Sequence, residues 1–245
     1  MKKISIIIVI LIFIIVALNQ IIGDKDLIID KIKDTKSNKD IVLLFDEEKI
    51  NLQFDNKEVG VKSIPKDLID DYEYSLKIIG NYLLVGMINK KTVKYSSLTF
   101  LYLYDYIQNP ITKIWSTDDE LKKELFLKNY NTTNNTIIVD SDSSEVIIEY
   151  DEKIENKLME FIKSIKEKDK KIQLEISNTV AYCIYDYDKD GQEELITKSI
   201  VTMGFSPLVD TYYSVYKIED NGIQKVKSCF YSKDNTLEKY FKNFN

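Results

Sequence analysis

Hydrophobic and polar positions along this chain alternate in short runs separated by polar turns, a pattern that predicts β-strands. From residue 41 the runs fall at 41–45, 50–54, 74–79, 82–88, 98–107, 111–115, 125–127, 137–139 and 146–150. Tyr102-Leu103-Tyr104-Asp105-Tyr106 alternates, turns at Gln108-Asn109-Pro110 and resumes at 111–115, which is a hairpin pattern. Two short helical interruptions are expected in this half. Ser63-Ile64-Pro65 suits an N-cap with proline in the first turn, and Thr117-Asp118-Asp119-Glu120 has capping-box spacing.

The period then changes. Ile154, Leu158, Phe161, Ile162 and Ile165 form one apolar stripe with lysine and glutamate opposite, which predicts an amphipathic helix over 152–168. A second β region follows, with runs at 172–176, 180–185, 195–201, 212–218 and 223–230. Asp220-Asn221-Gly222 is a hairpin-turn signal between the last two. Asp234 or Asn235 then caps a terminal helix in which Leu237, Tyr240, Phe241 and Phe244 share a face.

At the other end, Met1-Lys2-Lys3 precedes an apolar stretch from Ile4 to Ile22, nineteen residues, with a polar exit at Asp24. As a helix it would be about 28 Å long, close to the roughly 30 Å of a bilayer's hydrocarbon core. The layout predicts an uncleaved single-pass anchor with its lysines in the cytoplasm and the C-terminal part outside the cell. The alternative is a signal peptide cleaved near Gly23, leaving a secreted protein. The expected organisation is therefore an anchor at 1–23, a charged juxtamembrane stalk at 24–40, a β-rich region at 41–150, a helical connector at 151–172 and a β module with a terminal helix at 173–245. The fold class is mainly β (α+β), with antiparallel sheets.

Composition narrows the chemistry. The chain has 245 residues, 44% of them apolar, enough to bury ordinary cores. It contains no histidine, and every one of its 34 basic residues is lysine. That removes Ser-His-Asp and Cys-His catalysis, histidine-based metal sites and arginine clamps on phosphate. With 40 acidic residues the net charge is −6, a poor balance for holding a nucleic acid. Cys183 and Cys229 are the two cysteines. They read either as one disulfide of an exported domain or as two small buried core residues.

One stretch carries chemistry. Residues 186–195 read Asp-Tyr-Asp-Lys-Asp-Gly-Gln-Glu-Glu-Leu, placing Asp186, Asp188 and Asp190 at alternate positions, then Gly191, Gln192 and Glu194. Ca²⁺ needs 6–8 oxygen ligands at about 2.4 Å, and alternate carboxylates on a curled loop converge on one point. Gly191 permits the left-handed backbone of a sharp turn, and Gln192 would offer its main-chain carbonyl. The position where a helical EF-hand places its last glutamate is Thr197, and the flanks read as strands, so the loop is not an EF-hand. The alternative to a calcium site is an aspartate-rich turn that binds no metal.

The loop resembles the strand-loop-strand calcium loops of FG-GAP and VCBS-type repeats, whose pattern is Asp-x-Asp-x-Asp-Gly-x-x-Asp/Glu-Leu. The strand, Asp-Asn-Gly turn and lysine-bearing strand over 212–226 look like exported modules of Gram-positive bacteria. Together the resemblance covers residues 173–232. It implies a propeller-like β arrangement and a structural Ca²⁺ held by Asp186, Asp188, Asp190, Gln192 and Glu194.

Other signals are weaker. Asp140 to Glu145 reads as a solvated hairpin turn, and Ser63 to Lys66 as a helix cap although it matches Ser-x-x-Lys. Tyrosines 182, 185, 187, 212, 213 and 216 read as core packing, with an aromatic surface for polysaccharide or peptide as the alternative. The expected protein is a membrane-anchored, calcium-binding β protein, not an enzyme, with a binding or structural role at the cell envelope. Its partners would be the membrane, through residues 4–22, and an envelope protein or polysaccharide. The competing expectations are a carboxylate-dependent, glycosidase-like hydrolase and a regulatory partner of a membrane protein.

Overall fold

A computed structural model describes residues 27–46, 48–91, 99–120, 125–131, 133–141, 144–150, 156, 159, 160, 163, 173–203 and 206–230. It is mainly β. The chain divides between Ile69 and Asp70 into two compact units, a boundary that falls inside the expected 41–150 region. The 4–22 apolar segment and the C-terminal helix lie outside the described residues. So does the apolar stripe of the 152–168 helix, although Asn156, Met159, Glu160 and Lys163 are helical. Among the described residues no helix is long and apolar enough to cross a membrane.

The first unit is an antiparallel meander of β1 (Leu27–Lys33), β2 (Asp40–Asp46), β3 (Lys49–Phe54) and β4 (Lys57–Ser63). The register sets Ile41 opposite Phe54, Leu43 opposite Leu52 and Phe45 opposite Ile50. All six are buried, so one face of the central hairpin is a continuous row of apolar cross-strand pairs. Asp55 and Asn56 join β3 to β4 with φ of 50° and 61°, the backbone a two-residue type I′ hairpin needs. Residues 27–33, expected in a charged stalk, form edge strand β1 instead. Its charges are accommodated because an edge strand needs only one partner, and Lys31 reaches Asp40 on β2 at 2.7 Å.

The second unit contains β5 (Tyr72–Ile79), β6 (Tyr82–Asn89), β7 (Thr99–Asp105) and β8 (Thr112–Ser116), again a four-stranded antiparallel meander. The expected 102–115 hairpin is β7–β8. A 3₁₀ helix at Lys66–Asp71 and a short helix α1 (Thr117–Glu120) occupy the two expected interruptions. The hydroxyl of Thr117 accepts a hydrogen bond from the Leu101 amide at 3.0 Å.

The remaining strands are β9 (Leu125–Asn131), β10 (Thr136–Ser141), β11 (Ser144–Tyr150), β12 (Gln173–Tyr185), β13 (Glu194–Met203), β14 (Ser206–Glu219) and β15 (Gly222–Phe230). They are hydrogen-bonded in a ring, in the order β10-β11-β15-β14-β13-β12-β9 and back to β10. Two seams of that ring are each two residue pairs wide, β9 with β12 and β11 with β15, and the second is parallel. The ring therefore consists of a long four-stranded sheet, β12 to β15, joined to a short three-stranded one. Two expected strands, 172–176 and 180–185, are one strand. β-Bulges at Ile176/Asn178 and Thr179/Ala181 carry it through the polar gap, and the Thr179 hydroxyl lies 3.2 Å from that of Ser199.

The long sheet is apolar on both faces, and alternation sorts its residues. Tyr182, Leu195 and Tyr216 pack against Tyr82, Leu84, Leu101, Leu103 and Trp115 of the β5–β8 sheet. Their immediate neighbours Cys183, Ile196 and Val215 join Tyr213 and Cys229 in a second cluster on the opposite face. Tyr182 comes so close to β6 that its hydroxyl lies 2.5 Å from where a Cβ on Gly86 would sit. That hydroxyl also pairs with the Ser75 hydroxyl at 2.5 Å. Tyr182, Tyr212, Tyr213 and Tyr216 are all buried, so they act as packing and not as an exposed aromatic surface. Both cysteines are buried; β13 and β14 lie between their strands, and burial pushes the Cys183 thiol up to about 12.

Buried phenols give a pH prediction. Burial, with Tyr72 and Asp70 nearby, pushes Tyr74 up to about 12. Tyr104 and Tyr102 are also raised, first by burial and, for Tyr102, by the Asp118 carboxylate beside it. The folded state holds these protons more tightly than the unfolded chain, where phenols titrate near 10. Their contribution to stability is complete below about pH 10 and falls as pH rises towards about 12. Phenolate absorbance and circular dichroism should therefore change together in that window. Full tyrosine ionisation with an unchanged dichroism spectrum would contradict this.

Candidate metal centre

The 186–193 loop joins β12 to β13, so its flanks are strands, as expected. The β12–β13 register ends at Tyr185 opposite Glu194, closing the base of the loop. Lys189 and Gly191 hold φ of 62° and 91°, the left-handed turns that curl the chain between the aspartates. The loop is tied by its own side chains. Asp186 Oδ2 accepts from the Gly191 amide at 3.1 Å, Asp188 Oδ1 from Asp190 at 3.2 Å, and Asp190 Oδ1 from Gln192 at 2.9 Å.

Three of the expected ligands converge. One oxygen each from Asp186, Asp188 and Glu194 lie within 4.8 Å of one another. Oxygens that close together can all reach one metal cation. Glu194 is 1% exposed. Its Oε2 accepts from the Tyr187 amide at 2.6 Å, while Oε1 and the buried Oδ1 of Asp186 have no hydrogen-bond partner. Buried carboxylate oxygens in that state are costly, and a cation would satisfy both. Burial, the leading cause, raises the Glu194 pKa above the usual carboxylate range, against the opposing pull of the Tyr187 amide.

Asp190 and Gln192 stand apart from this trio. Asp190 turns its Oδ2 to the Lys217 ammonium at 2.6 Å, which holds its carboxyl below the usual range. Gln192 is exposed and is engaged through its amide to Asp190.

Lys217 is the residue that motif reasoning missed. Its ammonium lies 2.8 Å from Asp188 Oδ2, 2.6 Å from Asp190 Oδ2 and 3.8 Å from Glu194 Oε1. The β13–β14 register sets Leu195 opposite Tyr216, so the next positions outward, Glu194 and Lys217, face each other. Hydrogen bonds to Asp188 and Asp190 raise the Lys217 pKa. The signal was present in the alternation of Tyr212 to Lys217, which puts Lys217 on the same face as Val215. It could be read only with the pairing partner known.

Two contacts reach the β5–β6 hairpin. Lys77 meets Glu193 of the loop at 2.9 Å, and the Tyr82 hydroxyl donates to the Asp220 carbonyl of the neighbouring β14–β15 turn at 2.7 Å. The weaker acidic stretch at 140–145 is the β10–β11 hairpin, with Asp140 opposite Glu145. No protein-family model, curated protein or solved structure matches this chain.

Proposed function

We propose that the protein is an exported, membrane-anchored β protein whose 186–194 loop binds Ca²⁺ as a structural ion, and that it serves a binding or structural role at the cell envelope. The observation that carries this reading is the buried Glu194. Its Oε1 has no hydrogen-bond partner, and one of its two carboxylate oxygens belongs to the Asp186–Asp188–Glu194 trio. Asp186, Asp188 and Glu194 would hold the ion, with the Gln192 carbonyl available beside them and Asp190 engaged by Lys217. The bound ion would tie β12 to β13 and neutralise carboxylates that repel one another. The apolar 4–22 segment supports the anchor, and the FG-GAP/VCBS-like spacing of the loop supports the calcium assignment. The strands of the resembling region, β12 to β15, are consecutive antiparallel neighbours within the seven-strand ring, and the propeller-like part of the reading rests on the resemblance of residues 173–232.

Calcium chloride added to the full chain in detergent should raise its Tm. Binding to the folded state alone contributes about 2.7 kcal/mol at a hundredfold excess over Kd. For a protein of this size that is roughly 5–11 °C. A flat calorimetric titration together with an unchanged Tm would overturn the calcium assignment.

A further inference from the structure

We propose that Lys217 is the affinity- and specificity-determining residue of the loop, a tethered cation that competes with the incoming one. The inference rests on the calcium reading and deepens it. Asp188 is the point of conflict. One of its oxygens belongs to the trio that could hold a cation, and its Oδ2 is held by the Lys217 ammonium at 2.8 Å.

The ammonium is not a casual surface contact. The Lys217 side chain is 23% exposed, its backbone is inside β14, and the register places it against Glu194. It nevertheless neutralises the wrong half of the loop. It bonds Asp188 and Asp190 on the open side, while Glu194 Oε1 at 3.8 Å and Asp186 Oδ1 keep no hydrogen-bond partner. An ammonium has three donors and one charge. A divalent ion gathers 6–8 oxygens and can draw in both buried ones. Binding therefore exchanges one cation for another at Asp188. Lys217 can retreat onto Asp190, which lies outside the trio and within 2.6 Å.

Two consequences follow for the ligand. A monovalent ion offers the loop no more charge than Lys217 already does, so the site discriminates in favour of doubly charged ions. Calcium must also displace a tethered counter-charge from Asp188, which weakens its affinity. The loop is thereby tuned towards the roughly 10⁻⁴–10⁻³ M range of extracellular calcium modules.

The test is calorimetric titration of calcium chloride into the full chain in detergent, as wild type, Lys217→Met, Lys217→Gln and Lys77→Met. Lys217→Gln keeps a donor for Asp188 and so guards against loss of folding. Lys77→Met removes a lysine that touches Glu193 but none of the trio. Both Lys217 variants should bind calcium about 10- to 100-fold more tightly, and their calcium-free Tm should fall. Lys77→Met should match wild type. Affinity and calcium-free stability moving in opposite directions separates competition from simple damage, which would lower both. Wild type that binds, with Lys217 variants binding no better, would overturn the inference and leave the calcium reading intact. Binding by the Lys217 variants alone would support it in its strongest form. No binding by any of the four would overturn the calcium reading and the inference with it.

Discussion

Replacing Trp115 by alanine is expected to destabilise the protein by about 3–5 kcal/mol and to lower Tm by roughly 6–20 °C. Trp115 is on β8, opposite Leu103 of β7, and is 8% exposed. It is a member of the cluster in which the β5–β8 sheet packs on the long β12–β15 sheet. Its ring meets that of Tyr216 edge-on, with centroids 5.0 Å apart, a geometry worth about 0.5–1.5 kcal/mol beyond area burial. Alanine would lose that contact and leave a cavity between two sheets whose strands cannot close in. Phenylalanine should behave differently. It keeps a ring against Tyr216 and removes an indole N–H that is buried without a hydrogen-bond partner, so its cost should be about 1 kcal/mol. Urea and thermal melts of both variants decide the matter. A Trp115→Ala loss below about 1 kcal/mol would mean that the two sheets do not depend on this contact.

That interface shows where sequence pattern informs and where it stops. Strands β2, β3 and β7 were legible because each is a short run rich in apolar residues between polar turns, a signal visible without a partner. β1 and β4 were not, since Leu27–Lys33 and Lys57–Ser63 are polar enough to read as linker and turn and depend on a neighbour's backbone. The long sheet was legible as strands, but not as the centre of the unit. With Tyr182 and Cys183, or Leu195 and Ile196, apolar in succession, the pattern says that both faces are covered and not by what. The gap at Asn178 and Thr179 was read as a break because a bulge is a feature of pairing and not of local composition. For the loop, Asp186, Asp188 and Glu194 could be identified from spacing because all three are local. Lys217 could not, as it arrives from β14 through a register that no local motif records.

Tyr182 makes the same point from the packing side. Gly86 looks like an ordinary weak spot in a strand, yet a Cβ there would meet the Tyr182 hydroxyl at 2.5 Å and its Cζ at 3.1 Å. The glycine is required by a tyrosine nearly a hundred residues further along the chain. Nothing in residues 82–89 by themselves announces it.

Glu194→Gln should cut the calcium-dependent rise in Tm by about half or more while leaving calcium-free stability unchanged or higher by up to about 1 kcal/mol. The two effects have one cause. Glu194 is buried, its carboxyl is pushed towards the protonated form by that burial, and only Oε2 has a hydrogen-bond partner. Glutamine keeps an acceptor for the Tyr187 amide, removes the buried charge and places an amide N–H₂ donor among the Asp186 and Asp188 oxygens. Without a cation that is an improvement or a neutral change. With calcium it is a loss, because a charged ligand has become a neutral one beside a competing ammonium, and affinity should fall roughly tenfold or more. Glu194→Ala separates shape from charge. It strands the half-buried Tyr187 N–H and should cost about 1–2 kcal/mol even without calcium. Melts of wild type and both variants, with and without calcium chloride, read out all of these effects. A Glu194→Gln protein that gains as much from calcium as wild type would show that the buried carboxylate serves the turn and not an ion.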